Sequence, residues 1–281
     1  MTWDDLDARL AEVPGTVSAY VARPGAAPTW TRRADDTHYA ASTMKAAVLA
    51  ALHRAADTGT LDLDTPVPVV NDFASAQPDA PRFTCDRNYD NDDAVWARLG
   101  DRAPLRWLAH RMIVRSSNLA TNLVLAHVGL PAVADVWALA GARHSVTGRG
   151  IEDFAARDAG ITNLVTAADL GALLGALATG ATRPGPLAPP AACAAMLDVL
   201  AAQEHREDLA AGLPPGTRIA HKNGWVRGIR HGAGVVFPDD APPYVIVVCT
   251  TTDPDNGPGD EDACQLIADV SAQVWTARHD L

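Results

Sequence analysis

Ser42 and Lys45 stand three residues apart in a chain that uses both residue types sparingly. Of its 23 basic side chains 21 are arginine, and only Lys45 and Lys222 are lysine; Ser42 is one of seven serines. Chance would place about 0.05 Ser-x-x-Lys spacings in a chain of this composition. Arginine stays protonated at ordinary pH, whereas burial or a cationic neighbour can take the proton from lysine. A chain that writes arginine almost everywhere and keeps two lysines points to chemistry needing a neutral amine or a compact ammonium. A serine hydroxyl is a weak nucleophile until a base removes its proton, and an amine one turn away can do so. The pair therefore reads as nucleophile and base for acyl transfer. Simple helix capping by Ser42 is the competing explanation.

That chemistry needs a helix to hold the pair and a second element to bring Lys222 to it. Alanine-rich, breaker-free residues 42–58, stopped by Gly59, predict a helix that starts at or near Ser42 and sets Ser42 and Lys45 on one face. Before it, residues 4–12 read as a helix and residues 16–22 and 29–33 as a hairpin around Pro24-Gly25. Residues 62–99, rich in Asp, Asn and Pro, read as an irregular surface connection. Helices are expected over 104–114, 117–127, 131–139, 166–178 and 190–203. Strands are expected over 218–223, 232–237 and 244–251, and a last helix over 261–278. The order predicts an α+β fold: one antiparallel sheet covered by the terminal helices, formed by residues 1–40 and 206–281, and an all-helical lobe of residues 41–205. Lys222, on a sheet strand, would then face Lys45 across the cleft between the lobes, the usual place for a small-molecule site.

Two further triplets complete a set. Ser42-Thr43-Met44-Lys45, Ser116-Ser117-Asn118 and Lys222-Asn223-Gly224, in this order and at these intervals, resemble the three signatures of the penicillin-recognising serine enzymes, specifically the class A β-lactamase branch. The similarity covers most of the chain and implies a β-lactamase/transpeptidase-like fold. It also implies roles. Ser42 attacks the carbonyl carbon and Lys45 serves as its base, while Ser116 relays a proton to the leaving group. Asn118 hydrogen-bonds a substrate amide, and Lys222 supplies positive charge to a substrate carboxylate or to the Ser116 hydroxyl. The backbone N–H groups of Ser42 and Trp225 form the oxyanion hole. Glu152, in the segment 148–153, falls where the family carries the glutamate that activates water for deacylation; an ion pair with Arg149 or Arg157 is its structural alternative.

Several positions depart from the family pattern. Ser117 stands for aspartate, Ala156 for the asparagine that helps to hold the deacylating water, and Trp225 for a small residue. Asn223 replaces a threonine or serine whose hydroxyl helps to hold a substrate carboxylate, which suggests different substrate chemistry. Arg227 and Arg230 follow Lys222 closely enough to hold such a carboxylate instead. His221 and His231 flank the Lys222 strand, and ordinary polar packing is the favoured reading for both.

Composition narrows the partner. A net charge of −11 has the wrong sign for a nucleic acid, and no apolar run reaches the length of a membrane span. Cys85, Cys193, Cys249 and Cys264 lack metal or disulfide spacing and read as buried thiols. No Walker loop, Gly-x-Ser-x-Gly elbow or His-Glu-x-x-His occurs, so neither cofactor nor metal is expected. The amino terminus is acidic, without the apolar stretch of a secretory leader, and a cytoplasmic setting is expected. The function expected is that of a serine hydrolase or acyltransferase acting on an amide or ester of a small molecule or short peptide through acyl-Ser42. A true class A β-lactamase and a non-catalytic or single-turnover sensor are the alternatives.

Overall fold

The computed structural model describes residues 2–253, 257 and 259–281; Met1, Pro254 to Asn256 and Pro258, inside the segments expected to form the sheet lobe, lie outside the described residues. Thr2 starts α1 (Trp3–Ala11) with a reciprocal capping box to Asp5. The hairpin β1 (Thr16–Ala22) and β2 (Pro28–Arg32) follows, then the short β3 (His38–Tyr39). A 3₁₀ turn, Ala41–Met44, leads into α2 (Lys45–Asp57). Ser42 lies inside that turn and caps neither helix, which removes the capping explanation. Residues 45–52 of α2 are all buried, so this helix is apolar nearly all round and forms the axis of the helical body.

After α2 come α3 (Asp93–Trp96), α4 (Leu105–Val114), α5 (Asn118–Val128), α6 (Leu130–Leu139), α7 (Phe154–Asp158), α8 (Ala167–Gly180) and α9 (Pro190–Ala201), of which α4, α5, α6 and α9 pack against α2. The middle of the chain also carries two small ribbons absent from the sequence reading. β4 (Pro66–Pro68) pairs with β5 (Arg102–Pro104), and β6 (Val146–Thr147) and β7 (Asn163–Val165) join β3. Strands of two or three residues are too short to show a period in sequence. The chain closes with β8 (Arg218–Val226), β9 (Ile229–Phe237), β10 (Tyr244–Thr251) and α10 (Asp260–Thr276).

The main sheet is antiparallel in the order β2-β1-β10-β9-β8, so the Lys222 strand is an edge strand. Alternation along β8 sends Ile219 into the core beneath α1 and α10 and Ala220 into the core shared with the helical body. Lys222 and Gly224 follow Ala220, whereas His221 and Asn223 follow Ile219. The sheet is therefore buried on both faces, and one apolar cluster runs continuously from the helical body onto its inner face.

Candidate active site

Lys45, first residue of α2, is fully buried, and its Nζ donates to the Ser116 carbonyl at 2.7 Å, to Asn118 Oδ1 at 2.9 Å and to Ser116 Oγ at 3.2 Å. Lys222 reaches the same hydroxyl from β8: its Nζ lies 3.1 Å from Ser116 Oγ and donates to the Asn223 carbonyl at 2.8 Å. Two amines from opposite layers thus converge on one serine. Burial brings the Lys45 pKa down to about 7, against the opposing pull of Asp90, Cys85 and Glu152. Burial, with Lys45 adding repulsion, holds Lys222 well below the usual lysine range.

The segment bearing Ser116 is built for that convergence. Ser117 caps α5 by accepting the Ala120 N–H at 3.1 Å, and its hydroxyl donates to Asp90 Oδ2 at 3.1 Å. The same oxygen accepts the Leu119 N–H at 2.9 Å, and Asn118 Nδ2 donates to the Tyr89 carbonyl at 2.9 Å. Asp90 and Tyr89 were missed in sequence; the one signal was the carboxylate lacking at Ser117, with nothing to say which aspartate of residues 86–93 replaces it.

Ser42 opens into a cleft of about 940 Å³ that it shares with Asn118, Glu152, Trp225, Tyr39 and Tyr89. A Cβ on Gly224 would stand 2.7 Å from the Ser42 nitrogen and 2.9 Å from that of Thr43, so only glycine lets β8 lie against the turn. Arg230, opposite Trp225 in the ladder, sends its N–H to Thr250 on β10. Antiparallel alternation then directs the Trp225 N–H off the open edge of β8. The Ser42 N–H belongs to the first turn, where donors have no partner within the helix. Five non-glycine residues among those described have positive φ: Ala41 (44°) and Glu152 (66°) line this cleft, and Ser116 (58°) is the buried serine on which the two lysines meet. Backbone strain of this kind concentrates at functional sites.

Glu152 Oε2 accepts the Asp86 N–H at 2.7 Å, and Oε1 is buried without a partner; burial raises its pKa. The expected alternative partners are engaged elsewhere: Arg149 donates to the Tyr39 hydroxyl at 3.2 Å, and Arg157 pairs with Asp158. The fully buried Ala156 offers a methyl where the family pattern has an amide. His221 and His231 are buried in the sheet, outside the cleft.

Two expected substrate contacts need correction. Arg230 is 2% exposed and bound to Glu207, Asp208 and Asp260. The Asn223 amide donates to Asp208 Oδ2 at 3.1 Å and to the His205 carbonyl at 3.3 Å, and its Oδ1 lies 3.4 Å from Lys222 Nζ. Neither side chain lines the cleft, although Arg227 does. Both residues answer to Asp208, a buried carboxylate 14 residues before Lys222 that no motif marked.

An antiparallel sheet packed on a helical body, with a lysine from each meeting at one serine hydroxyl, is the architecture of the serine β-lactamase class. The chain belongs to the β-lactamase enzyme family, whose model matches residues 2–277. Among solved structures, a β-lactamase from Sphaerobacter thermophilus is 27% identical over 98% of both chains, with a TM-score of 0.79. PBP-A is 22% identical, with 99% of this chain and 96% of that one covered and a TM-score of 0.79. The class A β-lactamase of the last common ancestor of Gram-negative bacteria is 21% identical over 99% of both, with a TM-score of 0.80. The search of curated proteins found no match. The protein is a serine hydrolase of β-lactamase type, and its reaction is acyl transfer through an acyl-enzyme.

Proposed function

We propose that Ser42 carries the acyl group of an amide or ester substrate. Its Oγ attacks the carbonyl carbon while its proton passes to Lys45, and the oxyanion formed is held by the N–H groups of Ser42 and Trp225. Collapse breaks the bond to the leaving nitrogen or oxygen, which takes a proton from Ser116 as Lys45 and Lys222 resupply that hydroxyl. Asn118 orients the acyl portion. Glu152 then takes a proton from the water that cleaves the ester. The observation that carries this reading is the Ser116 hydroxyl set within 3.2 Å of both buried lysines.

The methyl of Ala156 supports slow transfer to water, and therefore a long-lived acyl-enzyme open to an amine acceptor. A reducing, cytoplasmic setting belongs to the same reading and is supported by four buried free thiols. The test is intact-protein mass over time with a penicillin, a cephalosporin and an activated ester, beside Ser42→Ala. The parent should gain one acyl adduct that decays, and the variant none; an adduct of equal yield on the variant removes Ser42 as the nucleophile. Decay of a β-lactam adduct would mark a true β-lactamase, and labelling by the ester alone an esterase or amidase.

A further inference from the structure

Two arginines are buried among the described residues, and they differ in what neutralises them. Arg230, 2% exposed, is bound to Glu207, Asp208 and Asp260. Arg149, 4% exposed, has only neutral partners: its Nη1 donates to the Gly150 carbonyl and its Nη2 to the Tyr39 hydroxyl, both at 3.2 Å. Its Nε is buried without a partner. A guanidinium stays charged at any ordinary pH, and a charge taken out of water is ordinarily paired. Arg149 lines the cleft of Ser42 together with Tyr39 and Thr162.

The surroundings supply no counter-charge. The buried Asn163, a neutral amide, holds the backbone of the same residue: its Oδ1 accepts the Gly148 and Arg149 N–H groups at 2.8 and 3.1 Å, and its Nδ2 donates to the Arg149 carbonyl at 3.1 Å. Asp153 is spent on Ser75, Ala76 and Ala156. Glu152 shares the cleft, but its Oε2 accepts the Asp86 N–H and burial favours its neutral form. The other charged groups of the lining, Arg157 and Arg227, are cations, and Arg157 pairs with Asp158. At the reacting end, Lys45 and Lys222 face Asp90 and each other. The lining is therefore net positive, and its most buried cation waits for an anion. Arg149 belongs to the segment that presents Glu152. On the acyl-Ser42 reading, on which this inference rests, Glu152 acts after the leaving group has gone, so the acyl portion is what lies along that segment.

We propose that Arg149 is a carboxylate subsite and that the substrate is a half-ester or half-amide of a dicarboxylic acid, whose free carboxylate, on the acyl portion, neutralises the buried guanidinium. A planar carboxylate matches the donor fork of arginine. The probes are the phenyl half-esters of adipic, suberic and sebacic acid, which sample the reach, each beside the analogue with a primary amide for the free acid. Every rate is divided by the rate with hydroxide. Phenol release and the mass of the protein report acylation of Ser42. At one or more lengths the carboxylate donor should have a kcat/KM at least about tenfold above that of its amide. Both donors use the same Ser42, so this ratio does not depend on the fraction of folded enzyme. Arg149→Gln, which removes the charge, should bring the ratio to within about twofold of unity. Arg149→Lys, which keeps the charge and loses the fork, should lower it at least about threefold, and reads the assignment if the glutamine variant does not fold. Parity at every length in the parent, or a preference that survives both substitutions, overturns the proposal and leaves Ser42 as the nucleophile. Failure of every donor to label Ser42 overturns the acyl-Ser42 reading, so the two failures are told apart.

Discussion

Asp90 Oδ2 accepts both the Leu119 N–H and the Ser117 hydroxyl, and its charge opposes the effect of burial on Lys45. Besides Asp90, the groups facing Lys45 are Ser116 and Asn118 at the start of α5, Lys222 from β8, Cys85 and the Glu152 carboxylate. Asp90→Asn removes the charge and keeps the shape, so it should lower the Lys45 pKa from about 7. A base that works as the free amine then becomes available at lower pH. The acid limb of kcat/KM for acylation should move down by up to roughly one unit, a size common for one nearby charge. Ser117→Asp on that background places a carboxylate close by and should return the limb. Stopped-flow acylation between pH 5 and 9 reads both, and an unmoved limb would show that Asp90 only holds α5. The lysines were legible because arginine bias made them stand out, whereas Asp90 acts through a contact between distant segments in an acid-rich stretch.

At the scale of elements, the segment that presents Glu152 is fastened from both sides. Asn122 on α5 clamps Ile151 by its N–H and its carbonyl, each at 2.8 Å. The buried Asp153 accepts the Ser75 hydroxyl and the Ala76 N–H at 2.7 Å and caps α7 through the Ala156 N–H at 3.2 Å. Asp153→Ala frees that side and leaves buried donors unsatisfied, at a cost of roughly 3 kcal/mol, and a lower urea midpoint is expected. Deacylation should slow at least tenfold with acylation within threefold, since the lysine cluster rests on α2, α5 and β8. Equal slowing of both steps would mean that the loop supports the whole cleft. Periodicity made the long helices and sheet strands legible. It missed the 3₁₀ turn bearing Ser42, because an alanine-rich helix start without a capping side chain carries no boundary signal. It also ended β8 at Asn223 and began β9 at Gly232, although pairing carries the ladder through Trp225 and Arg230 to Val226 and Ile229.

Across the whole molecule, the sheet lies between two cores with three neutral imidazoles in or against it. His38 contacts the Ser18 and Thr251 hydroxyls; His231 Nε2 lies 2.9 Å from the Tyr39 carbonyl, and its Nδ1 lies 2.8 Å from the Arg230 carbonyl and 3.2 Å from the Thr250 nitrogen. His221 has no partner for either ring nitrogen. Burial lowers these pKa values from 6.5 to about 4 for His38, about 4 for His231 and about 3 for His221. Between pH 6.5 and about 4 the unfolded chain therefore binds protons that the folded chain refuses, and stability falls as pH falls. Each histidine contributes at most about 1.4 kcal/mol per pH unit. Glu152 and Asp208, whose pKa values burial raises, offset part of this by binding protons first in the folded state. Lys45 and Lys222 extend the same upward slope above neutrality, because unfolded lysines keep their protons to higher pH. Urea midpoints at pH 5, 6, 7 and 8 should rise throughout. His221→Leu removes an unpartnered imidazole without opening a large void, so it should stabilise the fold by about 1–2 kcal/mol at pH 7 and flatten the acid slope by up to about a quarter, because burial lowers His53 on α2 to about 4 as well. A destabilised variant with the parental slope would mean that His221 is hydrogen-bonded in solution and that the acid sensitivity arises at the other buried histidines.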